Sequence, residues 1–121
     1  MRVGDNAIYV SDQKPGTYVV VDLVVISKKG FVVIYDDADG KPGSVIGNTK
    51  ILPEKESRGV IAGLVRPVSH GEALFAILYE DSGDGIFSPN LDSPLRDDEG
   101  NMISMQFYID RNASAPQDIN I

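Results

Sequence analysis

The stretch that decides the fold is Gly30–Gly47, GFVVIYDDADGKPGSVIG. An apolar run, Phe31-Val32-Val33-Ile34-Tyr35, ends in the acidic turn Asp36-Asp37-Ala38-Asp39-Gly40. Pro42-Gly43 then leads into a second short run, Ser44-Val45-Ile46. β-Branched and aromatic residues pack well on a pleated surface, whereas Asp-Gly and Pro-Gly set turn geometry. The stretch therefore reads as strand, acidic turn, strand. A related pattern recurs at Ala73–Tyr79, which runs into Glu80-Asp81-Ser82-Gly83-Asp84-Gly85.

The same alternation of apolar runs and turn residues extends in both directions. Ala7–Val10 is a short strand ahead of the loop Ser11–Gly16. Tyr18–Ile26 carries five valines and an isoleucine, and its β-branched density selects strand over helix. Ser27–Gly30 is a hairpin-type link, Ile51–Ser57 an irregular exposed crossing, and Arg58–Leu64 a strand interrupted by Gly59 and Gly63. Arg66–Gly71 reads as a turn region. In Ala73–Tyr79 both alternating sets are apolar, Leu74/Ala76/Leu78 and Phe75/Ile77/Tyr79, which predicts a strand covered on both faces. A final strand is expected over Ile103–Ile109.

About seven or eight short strands joined by short turns predict an all-β antiparallel sandwich, immunoglobulin-like in the broad sense. Val20, Val32, Ile34, Ile46, Ile61, Leu74, Ile77 and Phe107 are its expected core. The domain is expected to span 1–111, with 112–121 as a tail or linker stub. Ser82–Asn101 is the longest stretch without a periodic pattern, about 20 residues, a length usually tied to function or to ordering by a ligand.

The 121 residues fit one domain, and a net charge of −7 makes phosphate-contacting nucleic-acid binding or attachment to an anionic membrane surface unfavourable. Cations or basic surfaces are the favoured charged ligands. With no cysteine, disulfides, thiolate metal sites and cysteine nucleophiles are excluded. No apolar run approaches the roughly 18 residues of a spanning helix, and Met1–Gly4 does not read as a signal peptide.

The segment VVVDLVVISKKGFVVIYDDADGKPGSVIGNTKI resembles an uncharacterised β-sandwich domain found, often repeated, in exported and surface-anchored proteins of halophilic archaea and bacteria. The matching residues are Val20-Val21-Asp22, Gly30–Ile34, Gly40–Gly47, Asp81-Ser82-Gly83, Phe87 and Asp92-Ser93-Pro94, within roughly residues 7 to 110. That domain is of unknown function. The resemblance implies a β-sandwich and an extracytoplasmic setting, secreted or cell-surface, and no activity.

Calcium takes six to eight oxygen ligands, which alternate side chains around a glycine-permitted turn can supply. Asp81, Asp84 and Asp92 are the candidate Ca²⁺ ligands, with Glu80 or Asp36 as further ones. A solvated acidic turn is the competing reading. If the strands leading to Asp36 and Glu80 are neighbours, both acidic turns would share one edge of the sandwich. His70, the sole histidine, reads as a surface turn residue, and Asp22 as solvent-facing or paired with Lys or Arg across the sheet. Asn112-Ala113-Ser114 fits a glycosylation sequon, a pattern that often arises by chance.

No nucleophile–base pair, phosphate loop or metal triad is legible, so an enzyme is not expected. The expectation is a non-catalytic structural or adhesive module with protein or glycan partners at the cell surface. It binds no nucleic acid and does not insert into the membrane. A small-ligand or carbohydrate-binding module is the alternative.

Overall fold

The computed structural model describes residues 2–3, 6–88 and 92–113. From residue 114 on, the expected 112–121 tail, and with it the last residue of the sequon, lies outside the described residues. The elements are β1 (Arg2–Val3), β2 (Asn6–Tyr9), β3 (Gly16–Ile26), β4 (Gly30–Ala38), β5 (Lys41–Thr49), β6 (Lys55–Val68), β7 (Ala73–Glu80), β8 (Ser93–Pro94) and β9 (Ser104–Tyr108). All pairs between strands are antiparallel, and no helix occurs among the described residues. The all-β, sandwich-like architecture read from the sequence is what forms. Its hydrogen bonds follow one continuous curled path, β1-β2-β3-β6-β5-β4-β7-β8, with β9 beside β8 on the outer edge of β7. The crossing expected over Ile51–Ser57 is shorter than the sequence suggested. β6 already begins at Lys55, and Leu52 is buried and exchanges backbone hydrogen bonds with Gly30 at 2.7 and 3.2 Å.

β4 and β7 form the middle of the molecule, paired from Gly30↔Glu80 to Asp36↔Leu74. Successive strand side chains point to opposite faces, so this ladder feeds two apolar clusters. Val32, Ile34, Leu74, Ala76 and Leu78 point into the main core with Ile8, Val19, Val24, Ile26 and Phe107. Phe31, Val33, Ile77 and Tyr79 form a second cluster on the reverse face, against which Tyr35, Phe87 and Met102 pack. The strand with two apolar faces is thus covered twice, the second time by the long loop after β7.

The β2–β3 connection and the residues that follow β9 meet at a seam. Gln13, in the β2–β3 connection, makes an isolated parallel bridge with Ile109. Its N–H donates to the Tyr108 carbonyl at 2.9 Å, and its carbonyl accepts from the Asp110 N–H at 2.8 Å. The Gln13 side chain, 4% exposed, serves Val20 as a substitute strand. Its Nε2 donates to the Val20 carbonyl at 3.1 Å and its Oε1 accepts from the Val20 N–H at 3.2 Å.

Two expected core residues face the other way. Ile61 is 60% exposed and its cross-strand partner Val20 is only half-buried, whereas Val19, Val21 and Ala62 are sealed. Placing one member of the pair outside places the other there too. The inward set of β3 then changes from Val19/Val21 to Val24/Ile26. The change falls at Asp22, whose would-be partner Gly59 has a φ of 59°. A left-handed residue inside a ladder rotates the strand locally, and only glycine adopts it without strain.

Asp22 corrects a second expectation. It is 7% exposed rather than solvent-facing, and among the described residues it is paired with no cation. Its Oδ2 accepts from the Ser11 N–H at 2.9 Å and the Ser11 hydroxyl at 2.5 Å, which ties the β2–β3 loop down over β3.

The glycines of GKPGSVIG each have a physical reason. Gly40 turns the hairpin at φ 83°. A Cβ on Gly43 would strike the Asp36 carboxylate, and one on Gly47 the backbone carbonyl of Gly63. Backbone cannot yield as a flexible side chain does. Gly47→Ala is therefore expected to destabilise the fold by more than about 1 kcal/mol. Leu74→Ala, Ile34→Ala or Phe107→Ala should each cost about 2–5 kcal/mol in urea unfolding. Ile61→Ala, by contrast, should cost under about 1 kcal/mol. An Ile61 variant as damaging as the Leu74 variant would contradict the inside–outside assignment of β6.

Candidate metal centre

β7 leaves the sheet at Glu80, and the next residues turn back across the reverse face. The anchor is Phe87, which packs edge-on against Tyr79 and Phe31 with centroids 5.2 and 5.9 Å away. Burying an aromatic pair this way stabilises by more than its area alone. The turn between β7 and Phe87 needs left-handed backbone at Gly83 (φ 121°) and Gly85 (φ 75°). The glycines of the Asp81–Gly85 motif meet that requirement.

Asp81, Asp84 and Asp92 converge here, with one carboxylate oxygen from each lying within 4.8 Å of the others. Asp92 is the deepest, 5% exposed. Its Oδ1 accepts from the Ser82 N–H at 2.7 Å and its Oδ2 from the Ser88 N–H at 2.6 Å, so it pins both ends of the turn. Both Asp81 oxygens share the Gly85 N–H at 3.2 Å, and Asp84 accepts from the Ile86 N–H at 3.0 Å. Among the described residues no Lys, Arg or His is ion-paired with any of the three. An oxygen holding one N–H keeps a second lone pair. The arrangement therefore offers three negatively charged oxygen donors to one point, the donor chemistry of a hard cation such as Ca²⁺.

The two further candidates are not brought into the cluster. Glu80 reaches Lys28 in an exposed ion pair at 3.3 Å. Asp36 lies at the opposite end of the sheet. Its strand is indeed the neighbour of β7, but the pairing is antiparallel, with Gly30 opposite Glu80 and Leu74 opposite Asp36. Six residues of strand, about 20 Å, separate the two acidic exits, and they share no edge. Asp36 instead accepts from the Ser44 N–H at 2.6 Å within its own hairpin.

That opposite end is held by an Arg66–Glu72 pair, N–O 2.9 Å, with a second Arg66 contact at 3.3 Å and the Ser69 N–H donating to Glu72 at 2.6 Å. The Arg66 hydrogen bond, assisted by that N–H, holds the Glu72 carboxyl below its ordinary value. His70 sits beside it as an exposed turn residue, its Nδ1 accepting from the Arg111 N–H at 3.1 Å.

Sequence reading missed the partners of the aspartates. The donors are backbone N–H groups of Ser82, Gly85, Ile86 and Ser88, which carry no residue-specific signal. Ile86-Phe87, the adjacent pair of large apolar residues in the loop, was the available clue that the loop packs down.

The fold and the site together define an all-β antiparallel domain with an acidic loop centre. Residues 6–109 match the model of a family described as Domain of unknown function (DUF7282), and the chain belongs to that family. No curated protein and no solved structure gives a significant match.

Asp92→Ala removes the acceptor of two loop N–H groups and is expected to cost about 1–3 kcal/mol. It should also make the Ser82–Ser88 segment the first site of limited proteolysis. Unchanged cleavage would mean that Phe87 alone holds the loop. For Glu72 the depressed folded-state pKa places its contribution above the ordinary value of 4.5, and it is lost as pH falls through the lower folded value. Glu72→Gln should therefore flatten the decline in stability between about pH 5 and 3, by under about 1 kcal/mol because the pair is part-exposed. Parallel acid-unfolding curves for the two proteins would show that the pair contributes nothing.

Proposed function

We propose that this protein is a non-catalytic structural or adhesive module acting outside the cytoplasm, whose long loop is fixed by a bound Ca²⁺. The observation that carries the reading is the convergence of Asp81, Asp84 and Asp92, with no counter-cation among the described residues, on the loop that covers the second apolar cluster. Three carboxylates packed this closely repel one another, and in a chain of net charge −7 no surplus of positive charge offsets them. A divalent ion accepting oxygen ligands removes the repulsion and binds the turn to the sheet it covers. The extracytoplasmic setting rests on the sequence resemblance to exported and surface-anchored domains, where millimolar calcium is available to a weak site. The non-catalytic part of the reading is supported by the engagement of the exposed His70 with the Arg111 N–H and of the buried Asp22 with Ser11.

Thermal unfolding in millimolar Ca²⁺ against EDTA tests this directly. A site a hundredfold above its Kd should add about 2.7 kcal/mol, with slower proteolysis of the loop. Asp84→Asn should abolish most of that gain while leaving the EDTA melting temperature within a few degrees or raising it, since like-charge repulsion falls. Mg²⁺ should stabilise less, because a loop of this kind suits strict octahedral geometry poorly. If Ca²⁺ changes neither melting nor proteolysis in the unmutated protein, the cluster is a solvated turn.

A further inference from the structure

β6 turns one set of residues into the core and leaves the other set in water. Val60, Ala62, Leu64 and Val68 pack on the main cluster. The alternate residues Ile61, Gly63, Val65 and Pro67 face outward, Ile61 at 60% exposure and Val65 at 83%. β3 widens this face. Tyr18, 56% exposed, lies opposite Gly63, and the half-buried Val20 lies opposite Ile61. Gly63 is therefore a dimple between Tyr18 on one side and Asn48 of β5 on the other, with Val65 projecting beside it. A lone exposed valine is ordinary. A continuous uncharged surface across two paired strands is the kind of patch that marks an interaction site.

Charge and shape decide what suits this surface. A basic partner is drawn to carboxylates, and the face has none to offer it. Two copies of a chain of net charge −7 repel each other, so they can meet only where no carboxylate has to be brought against another. The β3–β6 face meets that condition. Gly63 supplies the shape. The fold does not require glycine there: its backbone is not left-handed, and a Cβ would meet no atom within 4 Å. A strand glycine with that much room suits the close approach of another surface. The residue to fill the dimple is on the same strand, since Val65 is the most exposed large apolar side chain among the described residues.

From this we infer that the β3–β6 face docks a second copy of this chain as a two-fold dimer, with β6 antiparallel to β6 and Val65 of each copy seated on Gly63 of the other. A two-fold contact pairs residue i with j and j with i. The same axis then sets Ile61 over Pro67 of the second copy, and Tyr18 borders the Val65 seat. The face is small beside the roughly 20–30 residues a side of a standard interface, so the dimer is weak and depends on concentration. It is independent of the cation reading, since the face contains none of the three clustered aspartates.

The test is sedimentation velocity on the full chain in EDTA, so that it succeeds or fails regardless of calcium. The unmutated protein should pass from monomer to dimer between about 10 µM and about 1 mM, the range of a small interface. Raising salt from about 10 to about 100 mM shortens the Debye length from about 30 to about 10 Å, and should tighten the dimer about threefold by screening the repulsion. Gly63→Val fills the dimple without a clash inside the monomer. It should weaken the dimer more than about tenfold while urea unfolding of the dilute protein is unchanged or improved. Val65→Asp should also be monomeric, with its amide dispersion retained. Gly63→Asp and Val65→Lys should each be monomeric alone and form a heterodimer when mixed, because each new charge then meets its opposite. The inference is overturned if the protein stays monomeric at about 1 mM, if Gly63→Val and Val65→Asp leave association unchanged, if salt weakens the dimer, or if the mixed pair stays monomeric.

Discussion

The β4–β7 ladder is the constraint from which the rest of the molecule follows. Seven consecutive residue pairs place apolar side chains on both faces, so neither face can be left in water. The main core requires β2, β3, β6 and β9 to curl around one side. The reverse face requires a second cover, and the chain supplies it with the segment after β7 rather than with another sheet. That segment is fastened at both margins. Phe87 inserts over Phe31 and Tyr79, and β7 exchanges backbone bonds with the returning chain: the Leu78 carbonyl accepts from the Leu95 N–H at 2.9 Å and the Leu78 N–H donates to the Ile103 carbonyl at 3.0 Å. The candidate metal centre is a by-product of this second cover and lies where the cover leaves the sheet.

The acidic composition has a local explanation as well as a global one. Aspartates repeatedly receive backbone N–H groups that no strand partner satisfies. Asp12 receives Tyr108, Asp36 receives Ser44, Asp37 receives Gly40, Asp92 receives Ser82 and Ser88, and Asp97 receives Glu99 and Asn101. Short carboxylate side chains suit this role because they reach back to their own turn. Negative charge accumulates as the chain secures its turns, and most of it stays dispersed. Among the described residues, three such turn carboxylates fall on one spot only beyond β7.

The strands were legible because β-branched runs and turn residues alternate without ambiguity, and Leu74–Tyr79 even announced that both its faces would be covered. Inside and outside were less legible in β3 and β6. Val20 and Ile61 look as apolar as Val19 and Val21, and nothing in composition reveals that Gly59 takes a left-handed conformation that exchanges the faces. Asp22 was misplaced for the related reason that its partner, Ser11, lies in a loop whose path the strand pattern does not specify. For the acidic loop, the grouping of Asp81, Asp84 and Asp92 could be read from spacing and turn glycines. The exclusion of Asp36 could not, since it depends on the direction in which β4 and β7 run past each other.

The seam at Gln13 carries a mechanical consequence. Gln13 lies near the beginning of the chain and Ile109 near the end of the described residues, and the two run side by side in the same direction. Tension applied between the two ends pulls one flank of this bridge backward and the other forward. The bonds from Gln13 to Tyr108 and Asp110, with Asp12 to Tyr108 beside them, then resist sliding together instead of opening one after another. Behind them the Gln13 amide is clasped to Val20 and the Asp22 carboxylate holds Ser11, so the pull passes directly into β3. The bridge between the β2–β3 connection and the segment after β9 is also arranged as a shear clamp.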